Sequence, residues 1–182
     1  MPKINSLKDL LVDEIKDLYS AENQLLKAIP KLAKAAADRE LKAGFTAHLK
    51  QTKGHVARLA KAAKILGGHP KGKTCHAMKG LIEEGAEAIA LSAPPAIKDA
   101  NLIGAAQRVE HYEIAAYGTA RAFAQTIGAK EVEDLLTATL NEEGETNDKL
   151  TELSKDINQR AFPEYTTPAM GKAERRMQTT IV

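Results

Sequence analysis

Glu22, Glu110, Glu113 and Glu143, with His55 and Gln51, are the residues whose types and spacing could do chemistry here. Carboxylates and an imidazole inside a helical bundle are the usual ligands for two iron or manganese ions. Position singles them out more than type. A bundle helix buries apolar residues at alternating spacings of three and four. Glu22 interrupts such a series, Leu11, Ile15, Leu18, Leu25, Ile29. Glu113 interrupts Leu102, Ala105, Val109, Tyr112, Ala116, Ala120, and Glu110 lies on the flank of the same face one turn earlier. Glu143 and Asn147 interrupt Val132, Leu136, Leu140, Leu150. A buried carboxylate must be paired, protonated or bound to a cation. Three of them on three helices need a shared explanation, and no Lys or Arg occupies a matching stripe position.

Depth brings them to one level. Glu22 lies as far before the turn at Asp38 as His55 lies after it, to within one residue. Glu113 and Glu143 are equidistant from the turn at Gly128. Two antiparallel hairpins would therefore set Glu22, His55, Glu113 and Glu143 side by side, with Glu110 and Gln51 about one turn away. His55 falls on the border of the second helix's expected stripe, Phe45, Leu49, Thr52, Val56, Leu59.

The elements needed for this are legible. A first helix is expected over about 6–37, with Ser6 as N-cap, Asp9 completing a capping-box-like pair, and a kink at Pro30. A second runs over about 40–66 and ends at Gly67-Gly68-His69-Pro70. A basic loop and a short helix over about 76–91 follow, broken by Ser92-Ala93-Pro94-Pro95. The third long helix covers about 97–127, stopped by Gly128, and the fourth about 130–158. Two tight turns and one long crossover carrying a short extra helix define an all-α, ferritin-like four-helix bundle rather than a simple up-down one. The bundle occupies 1–158. Residues 159–182, with Pro163, Pro168 and Gly171, read as a tail holding a short basic helix near 172–177.

Bulk properties exclude several classes. At 182 residues the chain suits one domain, and its net charge is only +2. Basic residues are spread along the helices, not clustered, so nucleic acid is not expected as the main partner. No apolar run spans a membrane, and the N-terminus has no apolar signal core. Cys75 is the single cysteine, which suits a reducing, cytoplasmic setting. Other residues have plainer expectations. His48, two turns from the proposed level, reads as structural and His111 as exposed. Tyr112 and Tyr117 read as core, Asn147 as a core hydrogen-bonding residue, and Cys75 as structural. His55 on its own would be a satisfied border histidine.

The sequence also resembles the YciF/YciE-type stress proteins of the ferritin-like superfamily. The matching segments include Leu18-Tyr19-Ser20-Ala21-Glu22, Ala28-Ile29-Pro30-Lys31 and Ala47-His48-Leu49. The run from Cys75 to Glu84, that from Ala105 to Ala115 with Glu110-His111-Tyr112-Glu113, and Thr139-Leu140-Asn141-Glu142-Glu143 complete it. The resemblance implies a rubrerythrin-like bundle, a homodimer, in bacteria, tied to stress responses. Relatives usually carry Glu where this chain has Gln51, Asp where it has Asn147, and often Gln where it has His55. His55 would then supply a nitrogen ligand that offsets the missing carboxylate. Glu84 matches the family, but spacing does not place it in the core.

Two functions remain open from sequence. One is a di-iron or di-manganese protein acting on a small oxidant, peroxide or oxygen. Glu110, Glu113 and Glu143 would hold one side, and Glu22 and His55 the other. The alternative is a structural or interaction bundle without catalysis, working through its surface or its tail.

Overall fold

The computed structural model describes residues 4–162. Five helices form: α1 (Leu7–Ala35), α2 (Arg39–Ile65), α3 (His76–Ala90), α4 (Pro95–Thr126) and α5 (Lys130–Ala161). Their ends follow local chemistry. Ser6 caps α1 by accepting from the Asp9 N–H at 3.1 Å, and Asp9 in turn accepts from the Asn5 N–H at 3.0 Å. Asp38 caps α2 by accepting from the N–H groups of Glu40 and Leu41. Gly67 and Gly128 follow α2 and α4 with φ of 86° and 71°, the left-handed turn that closes a helix end. The helix α1 passes through Pro30 without a break. The fourth element begins earlier than its sequence suggests, because Pro95 sits at the first helical position, where a missing N–H costs nothing. The fifth runs on to Ala161. The expected helix near 172–177 lies outside the described residues.

The helices α1, α2, α5 and α4 surround one core in that order, with α3 lying against α1 and α4. The N-terminal half of α1 shares a cluster with the C-terminal halves of α2 and α4 and the start of α5. So α2 and α4 run the same way on opposite corners of the bundle. A connection between them must return along the whole bundle, and the segment carrying α3 does this. This is the ferritin-like topology.

The start of α4 is tied to the α1–α2 turn. Buried Asp99 accepts from the N–H groups of Ala37 and Asp38, at 2.9 and 2.7 Å. Asp99→Ala would leave both donors without a partner, so it is expected to cost about 2–3 kcal/mol in urea unfolding. A cost below about 0.5 kcal/mol would show that the turn holds without it.

The apolar core is divided in two. One cluster holds Leu25, Ile29, Leu41, Phe45, Leu102, Leu150 and their neighbours. The other holds Leu11, Ile15, Leu18, Leu59, Tyr117, Val132 and Leu136. The fully or nearly buried polar residues Glu22, His48, Thr52, His55, Glu110, Glu113, Thr139, Glu143 and Thr146 lie between them in every long helix.

Candidate metal centre

Each long helix contributes to the polar layer, and each contributor replaces an apolar residue at a core position. From α1 comes Glu22, from α2 His48 and His55, from α4 Glu110 and Glu113, and from α5 Glu143. All six are at most 5% exposed. Ligand atoms of His48, Glu110, Glu113 and Glu143 all lie within 4.8 Å of one another. Those of Glu22, His55 and Glu143 form a second group by the same measure. Glu143 belongs to both, so the layer is two half-sites sharing one carboxylate.

Polar contacts within the layer are few. The Tyr117 hydroxyl donates to Glu22 Oε1 at 2.5 Å. His48 Nε2 lies 3.4 Å from Glu110 Oε1. His55 Nε2 reaches Glu142 Oε2 at 2.8 Å, and Arg58 grips Glu142 with two nitrogens at 2.8 and 2.7 Å. The other ring nitrogen, Nδ1, lies 3.0 Å from Glu143 Oε1 and 3.3 Å from Glu22 Oε1. Close as they are, neither contact has hydrogen-bond geometry, and Nδ1 is left without a partner.

The charges are correspondingly out of balance. Burial, with repulsion from Glu143 and Glu22, pushes Glu110 well above the usual carboxylate range. Burial and repulsion from Glu22, Glu143 and Glu110 do the same to Glu113. Burial lowers His48 and keeps it neutral. Burial also opposes charge on His55, but Glu143 and Glu22 outweigh it and hold the imidazole up at about 10. One cationic ring therefore faces four acids.

The fit to metal ions rests on atoms left without a hydrogen-bond partner. Glu22 Oε2, His55 Nδ1, Glu110 Oε2, and both carboxylate oxygens of Glu113 and of Glu143 are buried and orphaned. Each orphan costs on the order of 1–3 kcal/mol, more when charged. Their convergence on one layer is what a cation would relieve. Four carboxylates balance two divalent ions when both histidines are neutral, and oxygen with imidazole nitrogen is the donor set that iron and manganese take. His55 is also oriented as ligating histidines are, with its distal N–H on a carboxylate. The donor pattern is unusual for the architecture. Bundle di-metal sites commonly draw a Glu-x-x-His pair from each of two helices. Here α2 supplies two histidines seven residues apart, and α4 supplies two glutamates three apart.

Of the residues singled out from sequence, the structure brings Glu22, His55, Glu110, Glu113 and Glu143 together. Gln51 is half-buried and lies beside His48 and Glu110, on the border of the layer. His48 is a correction, since although it is two turns from His55 along α2 its ring joins Glu110, Glu113 and Glu143 in the layer. The buried face of α2 is Leu41, Phe45, His48, Thr52, His55, Leu59, one residue round from the apolar choice of Leu49 and Val56. A parallel correction applies to α5, whose core positions are Thr139 and Thr146 where Leu140 and Asn147 were expected. Asn147 is half-buried and accepts from Gln107 at the edge of the α4–α5 contact. Glu142 and Arg58 were also missed as partners of His55. Their signal was the one-turn spacing of Arg58 from His55, and the adjacency of Glu142 to Glu143. His111 and Glu84 are exposed, as expected, and Glu84 pairs with Arg108. Tyr112 is only half-buried, and its hydroxyl donates to Asp17 at 2.7 Å and contacts Cys75 Sγ at 2.9 Å.

Comparison with known proteins decides the family. The model of the domain of unknown function DUF892 matches residues 6–162. The chain belongs to this family. It is 40% identical to Protein YciF of Escherichia coli (strain K12) over 160 residues, 87% of this chain and 96% of that one. The crystal structure of the E. coli stress protein YciF superposes with a TM-score of 0.83, covering 86% of this chain and 99% of that one. YcfI of Rhodopseudomonas palustris, described as a candidate structural protein, is 42% identical with a TM-score of 0.79, over 82% and 95% of the two chains. A ferritin-like, diiron-carboxylate protein of Bacillus anthracis shares the fold at 18% identity and a TM-score of 0.64, over 83% and 99%. DUF892 membership and the ferritin-like fold thus agree with the helix order found here. No helix among the described residues is long and apolar enough to cross a membrane.

Proposed function

We propose that this DUF892 protein holds two iron or manganese ions in its polar layer and serves a stress response by consuming a small oxidant. The orphaned buried atoms of Glu22, His55, Glu110, Glu113 and Glu143 carry the reading. On it, His48, Glu110 and Glu113 would hold one ion and Glu22 and His55 the other, with Glu143 available to both groups. Gln51 adds a neutral oxygen at the margin. When bound, such ions supply redox chemistry, the oxidation of ferrous iron or the reduction of peroxide or dioxygen.

The protein's own residues have separate tasks. Glu142 fixes the His55 ring by accepting a hydrogen bond from its Nε2–H, and Arg58 fixes Glu142. Tyr117 holds one oxygen of Glu22 and leaves the other free. The two apolar clusters above and below keep bulk water away from the layer. We place the protein in the cytoplasm as a homodimer, on its single buried cysteine and its family resemblance.

A second reading, a structural bundle without catalysis, is favoured by the His55–Glu142–Arg58 chain, which pairs part of the layer without any ion. Metal content separates the two. Protein expressed in medium supplemented with iron or manganese is expected to carry about two equivalents per chain. Glu142→Gln should keep the fold and weaken metal binding about 10–100-fold, read by competition with a chelator. No bound metal under either condition, with stability unchanged by chelator, would leave only the structural reading.

A further inference from the structure

The polar layer is buried, so an ion must have a way in. A surface groove between α2 and α5 is lined by Glu40, Glu145, Asp148 and Glu152, with Lys149 as the one basic residue. Beneath it lies a cavity of about 60 Å3 whose polar lining is His48, Gln51, Glu110 and Thr146. Both spaces share Gly44, Lys149 and Leu153, so the groove and the cavity adjoin at those residues, the neck between them. One of these lining residues carries a buried oxygen without a partner. Glu110 is 2% exposed, and its Oε2 has no partner.

We infer that divalent metal ions reach the centre through this α2–α5 groove, drawn by its acidic rim and received by Glu110 and His48. The inference rests on the reading given under Proposed function and adds the route. Four carboxylates against one ammonium give the groove a negative field that concentrates cations, and salt weakens it. Lys149 stands in the neck with the opposite sign, held only loosely by Glu145 at 3.9 Å. The space beside Gly44 is open, since a Cβ placed there meets nothing within 4 Å, so a long side chain at this position has room to enter the neck. The apolar cavity between α1, α3 and α4 touches none of the ligands, and its one polar side chain, Lys31, repels a cation.

The test follows Co2+ uptake by metal-free, full-length protein at low ionic strength, using the visible absorbance of the bound ion. Lys149→Glu is expected to load several-fold faster than wild type. Joint neutralisation by Glu145→Gln, Asp148→Asn and Glu152→Gln should slow loading about tenfold and flatten its salt dependence. Gly44→Leu places a side chain in the neck at a position that favours helix, and should slow loading with the final stoichiometry unchanged. Gly80→Leu on α3, equally free of clashes, should load at the wild-type rate. Wild-type rates in both Lys149→Glu and the neutralised groove would overturn the route, whatever Gly44→Leu does. Wild-type protein that takes up no Co2+ would instead remove the centre itself, a failure seen in stoichiometry and not in rate.

Discussion

Glu143→Ala is expected to strip both ions from the protein, where any other single replacement in the layer strips chiefly one. Glu143 is the residue common to the two ligand groups, and both of its oxygens are buried without a hydrogen-bond partner. Removing it takes one donor from each half-site together with a full negative charge. The half containing Glu22 and His55 then retains one carboxylate and one ring nitrogen. Glu22→Ala, by contrast, spares His48, Glu110, Glu113 and Glu143. Metal analysis after dialysis should therefore fall from about two equivalents to near none in Glu143→Ala, and to about one in Glu22→Ala. Loss of a first ligand should exceed the 10–100-fold affinity cost typical of a residue that merely orients one. Equal retention of metal by the two variants would show that Glu143 is not shared.

Much of this was readable from residue spacing because a carboxylate in an apolar stripe is conspicuous. Glu22 between Leu18 and Leu25 could only face the core, and the equal distances of Glu113 and Glu143 from Gly128 followed from the hairpin. The misreadings share one cause. In α2 and α5 the core positions at the layer include His48, Thr139 and Thr146, none of which an apolar pattern selects. The neighbouring Leu49, Val56 and Leu140 drew the stripe one residue round. Those three are half-buried, packing beside the core rather than in it. The helices that carry the polar layer thus conceal their own buried face. Arg58 was hidden for another reason. It is not a stripe residue at all, and acts across α2 and α5 through Glu142. Nor does the chain pattern announce Asp99, because an acid near the start of a helix is ordinarily a surface residue.

The metal-free and metal-loaded proteins are expected to respond to pH with opposite signs. Without metal, burial and mutual repulsion raise Glu110 and Glu113, so the folded state holds protons that the unfolded chain releases. Their stabilising protonation is complete below the ordinary glutamate range and is lost as pH rises through the folded values. His55 adds to the same slope, since its charge is retained in the fold to about 10 against 6.5 for the free side chain. Stability of the metal-free protein should therefore fall between about pH 6.5 and 9, by on the order of 2–4 kcal/mol. Metal binding needs the carboxylates ionised and His55 Nδ1 free of its proton, so it releases protons and strengthens as pH rises. His55 keeps its Nε2 proton throughout, donated to Glu142, which leaves the ring neutral and oriented once Nδ1 is free. Unfolding midpoints in urea, taken across this range with chelator and with saturating manganese, should diverge with increasing pH. Glu113→Gln should flatten part of the metal-free slope, because both oxygens of Glu113 lack partners and Glu22, Glu143 and Glu110 all repel its charge. It should also raise metal-free stability at neutral pH while weakening metal retention. Parallel slopes with and without manganese would mean that no ion displaces protons from this layer.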